Sequence, residues 1–152
     1  MRIAIAVDHA GFPLKDEAIC AVQDAGHEVL DLGTFSTEPV DYPDYAEILG
    51  RAILDGQADR GVLICGSGVG ACIAANKIKG IYAGLCHDVY SAHQGVEHDD
   101  MNVMCLGARI IGPALVPELV TAFLKSEFST AERHRRRVSK VHNLESKGSI
   151  TA

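Results

Sequence analysis

No C-x-x-C pair occurs in the chain, although it holds five cysteines, so neither a zinc ribbon nor a dithiol redox centre is indicated. The odd count, with no spacing pattern, argues for a reducing compartment rather than a disulfide framework. An excess of basic residues is also missing. The formal net charge is −6, which speaks against general nucleic-acid binding. No apolar run approaches the length of a membrane span, and no basic-then-apolar leader opens the sequence. A membrane partner is therefore not expected, and a cytoplasmic location is. Repeats, linkers and low-complexity stretches are lacking as well. That leaves 152 residues to be read as one domain, long enough to bury a full core without metal or disulfides.

What the chain does have is a strict alternation of two patterns. Apolar, β-branched runs at residues 2–7, 29–32, 62–65, 81–86 and 102–106 read as strands, those at 2–7 and 62–65 as buried ones. Segments with apolar residues at helical spacing separate them: one from Pro13 to Gly26, one from Tyr42-Pro43 to Gly56, and others near 71–77, 88–96 and 115–124. A charged, helix-compatible segment follows at about 131–145, and the tail beyond it is expected to be disordered. Alternating strands and helices with short loops predict an α/β fold, a five-stranded doubly wound parallel sheet with helices on both faces. With the strands ordered 2-1-3-4-5, the topological switch point falls between the first and third strands, at their carboxyl ends.

The stretch Ile64-Cys65-Gly66-Ser67-Gly68-Val69-Gly70 turns from a strand through glycines into an Ala-rich helix. Such a turn aims a row of backbone N–H groups at one spot suited to an anion, and favours a thiolate at its edge. Dinucleotide binding is one reading, since Gly66-x-Gly68-x-x-Ala71 fits the loose fingerprint and Asp88 follows at a suitable distance. Against it, this is the third strand, and too little sequence remains for a substrate domain. A thiol phosphatase would need an arginine where Ala71 stands, which rules that reading out. A proton-transfer site remains, with Cys65 as base and the loop amides and Ser67 hydroxyl stabilising an oxyanion. The bland alternative is a tight turn around a buried, inert cysteine. Cys20, Cys72, Cys86 and Cys105 have apolar neighbours and read as small core residues.

The position of the other polar groups bears on their roles. Asp8-His9 closes the first strand on the ligand-binding edge, either as a helix cap with an exposed imidazole or as a hydroxyl or phosphate contact. His98 sits in an expected polar connector, His98-Asp99-Asp100, after a helix that returns the chain to the amino edge. It is therefore either solvent-exposed or committed to the cleft of a second subunit. His87, His93 and His98 are spaced by six and five, which no helix face shares, so a metal site is not expected. Arg133 and Arg137 are four apart, on one side of a helix, and are either a solvated face or a phosphate grip. Arg109, just past the fifth strand, is placed to join them.

These motifs together resemble the type B ribose-5-phosphate isomerases, in the family shared with galactose-6-phosphate isomerase subunits. The resemblance runs over nearly the whole length through Asp8-His9-Ala10-Gly11, Asp41-Tyr42-Pro43, the Cys65 loop, Ala74-Ala75-Asn76-Lys77, His98, Asn102-Val103, Gly107-Ala108-Arg109, and Arg133-His134 with Arg137. It implies a Rossmann-like α/β/α sandwich and a homodimer or homotetramer with clefts shared between subunits. The implied reaction interconverts ribose 5-phosphate and ribulose 5-phosphate with no metal or organic cofactor. By the same resemblance Cys65 is the base, Ser67 aids transfer between the two oxygens, and His98 assists ring opening. Arg133, Arg137 and His9 hold the phosphate, while Asp8, Tyr42, Gly66, Gly68, Val69, Gly70, Asp99 and Arg109 complete the substrate-binding set. Relatives that use a glutamate in the following helix differ here, where Ala74-Ala75 stands. One departure bears on substrate choice: the family commonly has Asn after the ring-opening His, and this chain has Asp99, which when ionised accepts but cannot donate. A 6-phosphohexose isomerase and a non-catalytic sugar-phosphate or nucleotide-binding module are the alternatives.

Overall fold

The computed structural model describes residues 1–147. Five strands form one parallel sheet: β1 (Arg2–Val7), β2 (Glu28–Asp31), β3 (Arg60–Cys65), β4 (Ala83–Leu85) and β5 (Val103–Gly107). Six helices alternate with and follow them: α1 (Lys15–Asp24), α2 (Tyr42–Leu54), α3 (Val69–Ala75), α4 (Val89–Asp99), α5 (Val116–Lys125) and α6 (Glu132–Ser146). Pro13 and Pro43 sit in first turns, where a missing N–H costs nothing. Asp88 caps α4, its carboxylate accepting the Ser91 N–H at 2.7 Å.

Alternate residues of each strand feed opposite faces. Ile3, Ile5, Val7, Val62, Ile64, Met104 and Leu106 pack against α1, α4 and α5. Ala4, Ala6, Leu63, Cys65, Val103 and Cys105 pack against α2 and α3. The second face is built from smaller residues, and Leu49 of α2 lies so close to Gly61 that a Cβ there would stand 2.6 Å from its side chain. α6 leaves the sandwich and lies against α4.

The α/β class and the α/β/α layering are those expected from the sequence, but the strand order is not. It is 2-1-3-5-4, not 2-1-3-4-5. The reason lies in burial. Every residue of β5 is buried, as a central strand of a parallel sheet must be, whereas β4 is three residues long and only partly covered. The short strand takes the edge. Its open side is closed by the Asn76 amide, which donates to the Ala83 carbonyl at 2.8 Å and accepts the Ala83 N–H at 2.9 Å. The switch point between β1 and β3 is unaffected.

Two further boundaries differ. His98 and Asp99 belong to the last turn of α4 rather than to a connector, and the helix stops at Asp100, which takes the left-handed conformation with φ 55°. Cys20 lies on the exposed side of α1 and Cys72 is half-buried, so of the four cysteines expected in the core only Cys86 and Cys105 are fully there. α6 runs close to its expected bounds. The expected disorder of the tail falls on residues 148–152, outside the described residues. Among the described residues no helix is long and apolar enough to cross a membrane.

Candidate active site

At the carboxyl edge three loops are tied to one another by backbone hydrogen bonds. Asp8 N–H donates to the Ile64 carbonyl at 3.1 Å, Ala108 N–H to Cys65 O at 2.9 Å, and Arg109 N–H to Gly66 O at 2.9 Å. The loops after β1, β3 and β5 thus form one rigid rim. Glycine makes the close approach possible at Gly68, which has φ +78° and would place a Cβ 2.8 Å from the Leu106 carbonyl carbon. Gly70 does the same for an aromatic ring, since its Cβ would stand 2.8–3.1 Å from Tyr42.

Cys65 ends β3 with 5% of its surface exposed. Its Sγ accepts the Gly68 N–H at 3.1 Å, and the Ser67 hydroxyl oxygen accepts the Val69 N–H at 3.2 Å. Behind Val69, the next N–H groups of the first turn of α3 have no partner within the helix. Asp8 is buried, with one carboxylate oxygen accepting the Gly11 N–H at 2.8 Å. His9 Nδ1 lies 3.2 Å from the Val40 nitrogen and 3.1 Å from its oxygen, which leaves Nε2 as the unengaged ring nitrogen. The Arg109 guanidinium lies over Gly66, 3.3 Å from where a Cβ would be. Asp8, His9, Tyr42, Cys65, Ser67 and Arg109, with Gly66 and Gly70, line one open cleft of about 380 Å³. That is a volume suited to a small ligand. The thiol is therefore buried by packing but not walled off. Gly68 and Val69, also expected among the substrate-binding residues, do not line the cleft; their N–H groups serve Cys65 Sγ and the Ser67 hydroxyl instead.

A second group gathers at the amino edge. His98 Nδ1 lies 2.8 Å from Gln94 Nε2, and its ring is 4.0 Å from that of His134, tilted by 31°. His134 is 4% exposed, and its Nδ1 has no hydrogen-bond partner. Burial pushes the His134 imidazole below the usual histidine range, and His98, Arg133 and Arg137 push it further, while Asp99 opposes them. Arg133 and Arg137 are exposed, one turn apart on α6. His98, Asp99, Arg133 and Arg137 are thus brought together with each other, but not with Cys65. α4 starts at the carboxyl edge and ends where β5 begins, opposite Gly61 at the start of β3. A strand's length, on the order of 15–20 Å, separates the two groups in one chain.

Sequence reasoning missed several residues here. His134 stands in the sequence only as part of the Arg133-His134 motif, with no role assigned to it. The signal was the spacing of Arg133 and Arg137, which leaves the residue between them on a different face, toward the body. Lys15 is buried and holds the loop that leads to Tyr42, with its ammonium 2.8 Å from Asp31, 2.8 Å from the Thr34 carbonyl and 4.1 Å from the Phe35 ring centre. Nothing in its neighbourhood in the sequence marks it out. Among the other thiols, Cys105 lowers Cys72 to about 7, with Asn76 adding to it against burial, yet Cys72 points at the Ala83 carbonyl rather than into the cleft. Burial pushes Cys86 up to about 12. His87, His93 and His98 do not converge: His87 Nε2 accepts the Gly107 N–H, His93 pairs with Glu97, and His98 engages Gln94.

The chain matches the ribose/galactose isomerase family model over residues 3–141. Ribose-5-phosphate isomerase B of Escherichia coli (strain K12) is 42% identical over 144 residues, 95% of this chain and 96% of that protein. The solved structure of Clostridium thermocellum ribose-5-phosphate isomerase B superposes with a TM-score of 0.93 at 43% identity, covering 98% of this chain and 100% of that one. The structure of ribose-5-phosphate isomerase B from Mycoplasma genitalium with bound ribulose-5-phosphate superposes with a TM-score of 0.88 at 37% identity, covering 97% of each chain.

Proposed function

Because the chain belongs to the ribose/galactose isomerase family, we propose that it is an aldose–ketose isomerase interconverting D-ribose 5-phosphate and D-ribulose 5-phosphate. The observation that carries the reading is the Cys65 sulfur, held by the Gly68 N–H at the floor of a cleft of about 380 Å³. In the open-chain aldose the Cys65 thiolate removes the proton from C2. The C–H electrons become the C1–C2 double bond, and the carbonyl electrons pass to O1 as an enediolate. The N–H groups of the loop and the Ser67 hydroxyl meet that developing charge. Ser67 moves a proton between O1 and O2, and the thiol returns its proton to C1 to give the ketose. Neither oxidant nor reductant is consumed.

His98, Arg133 and Arg137 enter from a second copy of the chain. A symmetric dimer, or a dimer of dimers, sets the amino-edge group of one subunit against the carboxyl-edge cleft of the other. His98 then assists ring opening, and the two arginines, with His9 of the first subunit, hold the phosphate. The five free thiols suit a reducing, cytoplasmic setting. The test is an isomerase assay on ribose 5-phosphate, allose 6-phosphate and galactose 6-phosphate in parallel. The reading expects ketose formation fastest from ribose 5-phosphate. Tight binding of that sugar without turnover would contradict it.

A further inference from the structure

α6 has little to hold it. Of its fifteen residues only His134 and Val138 are buried. Among the described residues, the only hydrogen bonds from its side chains to the rest of the chain come from Glu145. One carboxylate oxygen accepts the Gly80 N–H at 2.9 Å, and the other accepts the Tyr82 hydroxyl at 3.0 Å. The Tyr82 ring stacks on His142, one turn earlier, with centroids 5.1 Å apart.

The turn that Glu145 grips is itself braced. Gly80 has φ +88°, a conformation that favours glycine. Asn102, at the start of β5, accepts the Tyr82 N–H at 2.8 Å and donates to the Gly80 carbonyl at 2.9 Å. A rigid path therefore leads from the central sheet through Asn102 and the Gly80–Tyr82 turn to the far end of α6. The same helix carries Arg133 and Arg137 at its near end.

We propose that Glu145 is a positioning residue for the phosphate grip: it sets the tilt of α6 and thereby where Arg133 and Arg137 stand. The inference rests on the reading of those two arginines as phosphate ligands. With the buried Val138 as pivot, Glu145 lies about 10 Å along the axis on one side and Arg133 about 7 Å on the other. A slip of about 2 Å at Glu145 then swings Arg133 by more than about 1 Å, a displacement that is costly for an oriented ligand contact.

The test uses the full chain and follows KM and kcat for ribose 5-phosphate, with inhibition by inorganic phosphate, in Glu145→Ala, Glu145→Gln, Tyr82→Phe and Arg137→Ala. For Glu145→Ala, KM and the phosphate inhibition constant are expected to rise together by about 5- to 10-fold, with kcat within about twofold, as loss of charged hydrogen bonds implies. Glu145→Gln keeps one acceptor and recovers part of the loss. Tyr82→Phe shows a smaller rise of the same kind. If Arg137→Ala weakens phosphate binding and Glu145→Ala does not, the positioning role is overturned and the grip stands. If Arg137→Ala leaves phosphate binding unchanged, the grip itself fails and the inference with it. Should Glu145→Ala not fold, unchanged phosphate inhibition in Tyr82→Phe overturns the proposal.

Discussion

The two edges of the sheet are built by different means. At the carboxyl edge the chemistry rests on the backbone: glycines, tight turns and main-chain hydrogen bonds lock three loops around Cys65. At the amino edge it rests on side chains at helix ends, where His98 and Asp99 finish α4 and the two arginines ride on a helix with two buried residues. The first half is fixed by glycine turns and by main-chain hydrogen bonds between loops, and is expected to tolerate little change. The second depends on how α6 docks, through two buried residues and Glu145, and is expected to tolerate more change. On the proposed reading, a site made this way keeps its base and oxyanion donors rigid while its phosphate and ring-opening groups arrive on a second subunit.

The largest expected effect tests the rigid half directly. Cys65→Ala is expected to lower kcat by about 10²–10⁴-fold or beyond detection, with the circular dichroism spectrum unchanged because the side chain is small and the packing is kept. Retained turnover would remove Cys65 as the base. Next comes Gly68→Ala. Its φ of +78° and the approach to Leu106 predict a stability loss of about 1–3 kcal/mol, read by denaturant titration. Activity should also fall, since the N–H on Cys65 moves. A variant as stable as the parent would show that the turn relaxes freely.

His98→Asn probes the adjustable half. It is expected to slow turnover of the cyclic sugar phosphate more than that of an acyclic analogue, by about 10-fold or more, with the melting temperature little changed. Equal losses on both substrates would count against ring opening. The smallest effect concerns pH. His134 is held below 6.5, its ordinary value, chiefly by burial. Below pH 6.5 the unfolded chain therefore takes up a proton before the folded one does. The stability that the neutral ring contributes is full above that pH and is lost as pH falls through the lowered folded value. Thermal melts from pH 7 to 5.5 should show a decline that is shallower in His134→Asn.

The same contrast explains what could be read from the sequence. The alternation of apolar runs and helical spacing was enough for the fold class and the switch point. Asp8, His9, Cys65, Ser67 and Arg109 stand at one edge, as expected, because each follows closely on the end of a strand, whereas Tyr42, at the start of a helix, enters the set only through the resemblance. Strand order was harder, since it depends on which of β4 and β5 is covered on both faces. Only the shortness of Ala83–Leu85 hints at that. The end of α4 was missed because Asp100 caps it in the left-handed conformation, a role for which glycine is the usual signal. Lys15, His134 and Glu145 gain their partners from segments between 16 and 65 residues away. No local pattern announces them.

The central claim is that one cleft needs both edges, from two subunits. It is tested by mixing Cys65→Ala and His98→Asn chains after reversible dissociation and measuring isomerase activity. In a mixed dimer one cleft carries both substitutions and the other carries neither, so random exchange should restore about a quarter of the unmodified activity. Activity no greater than the average of the two separate variants would contradict the account.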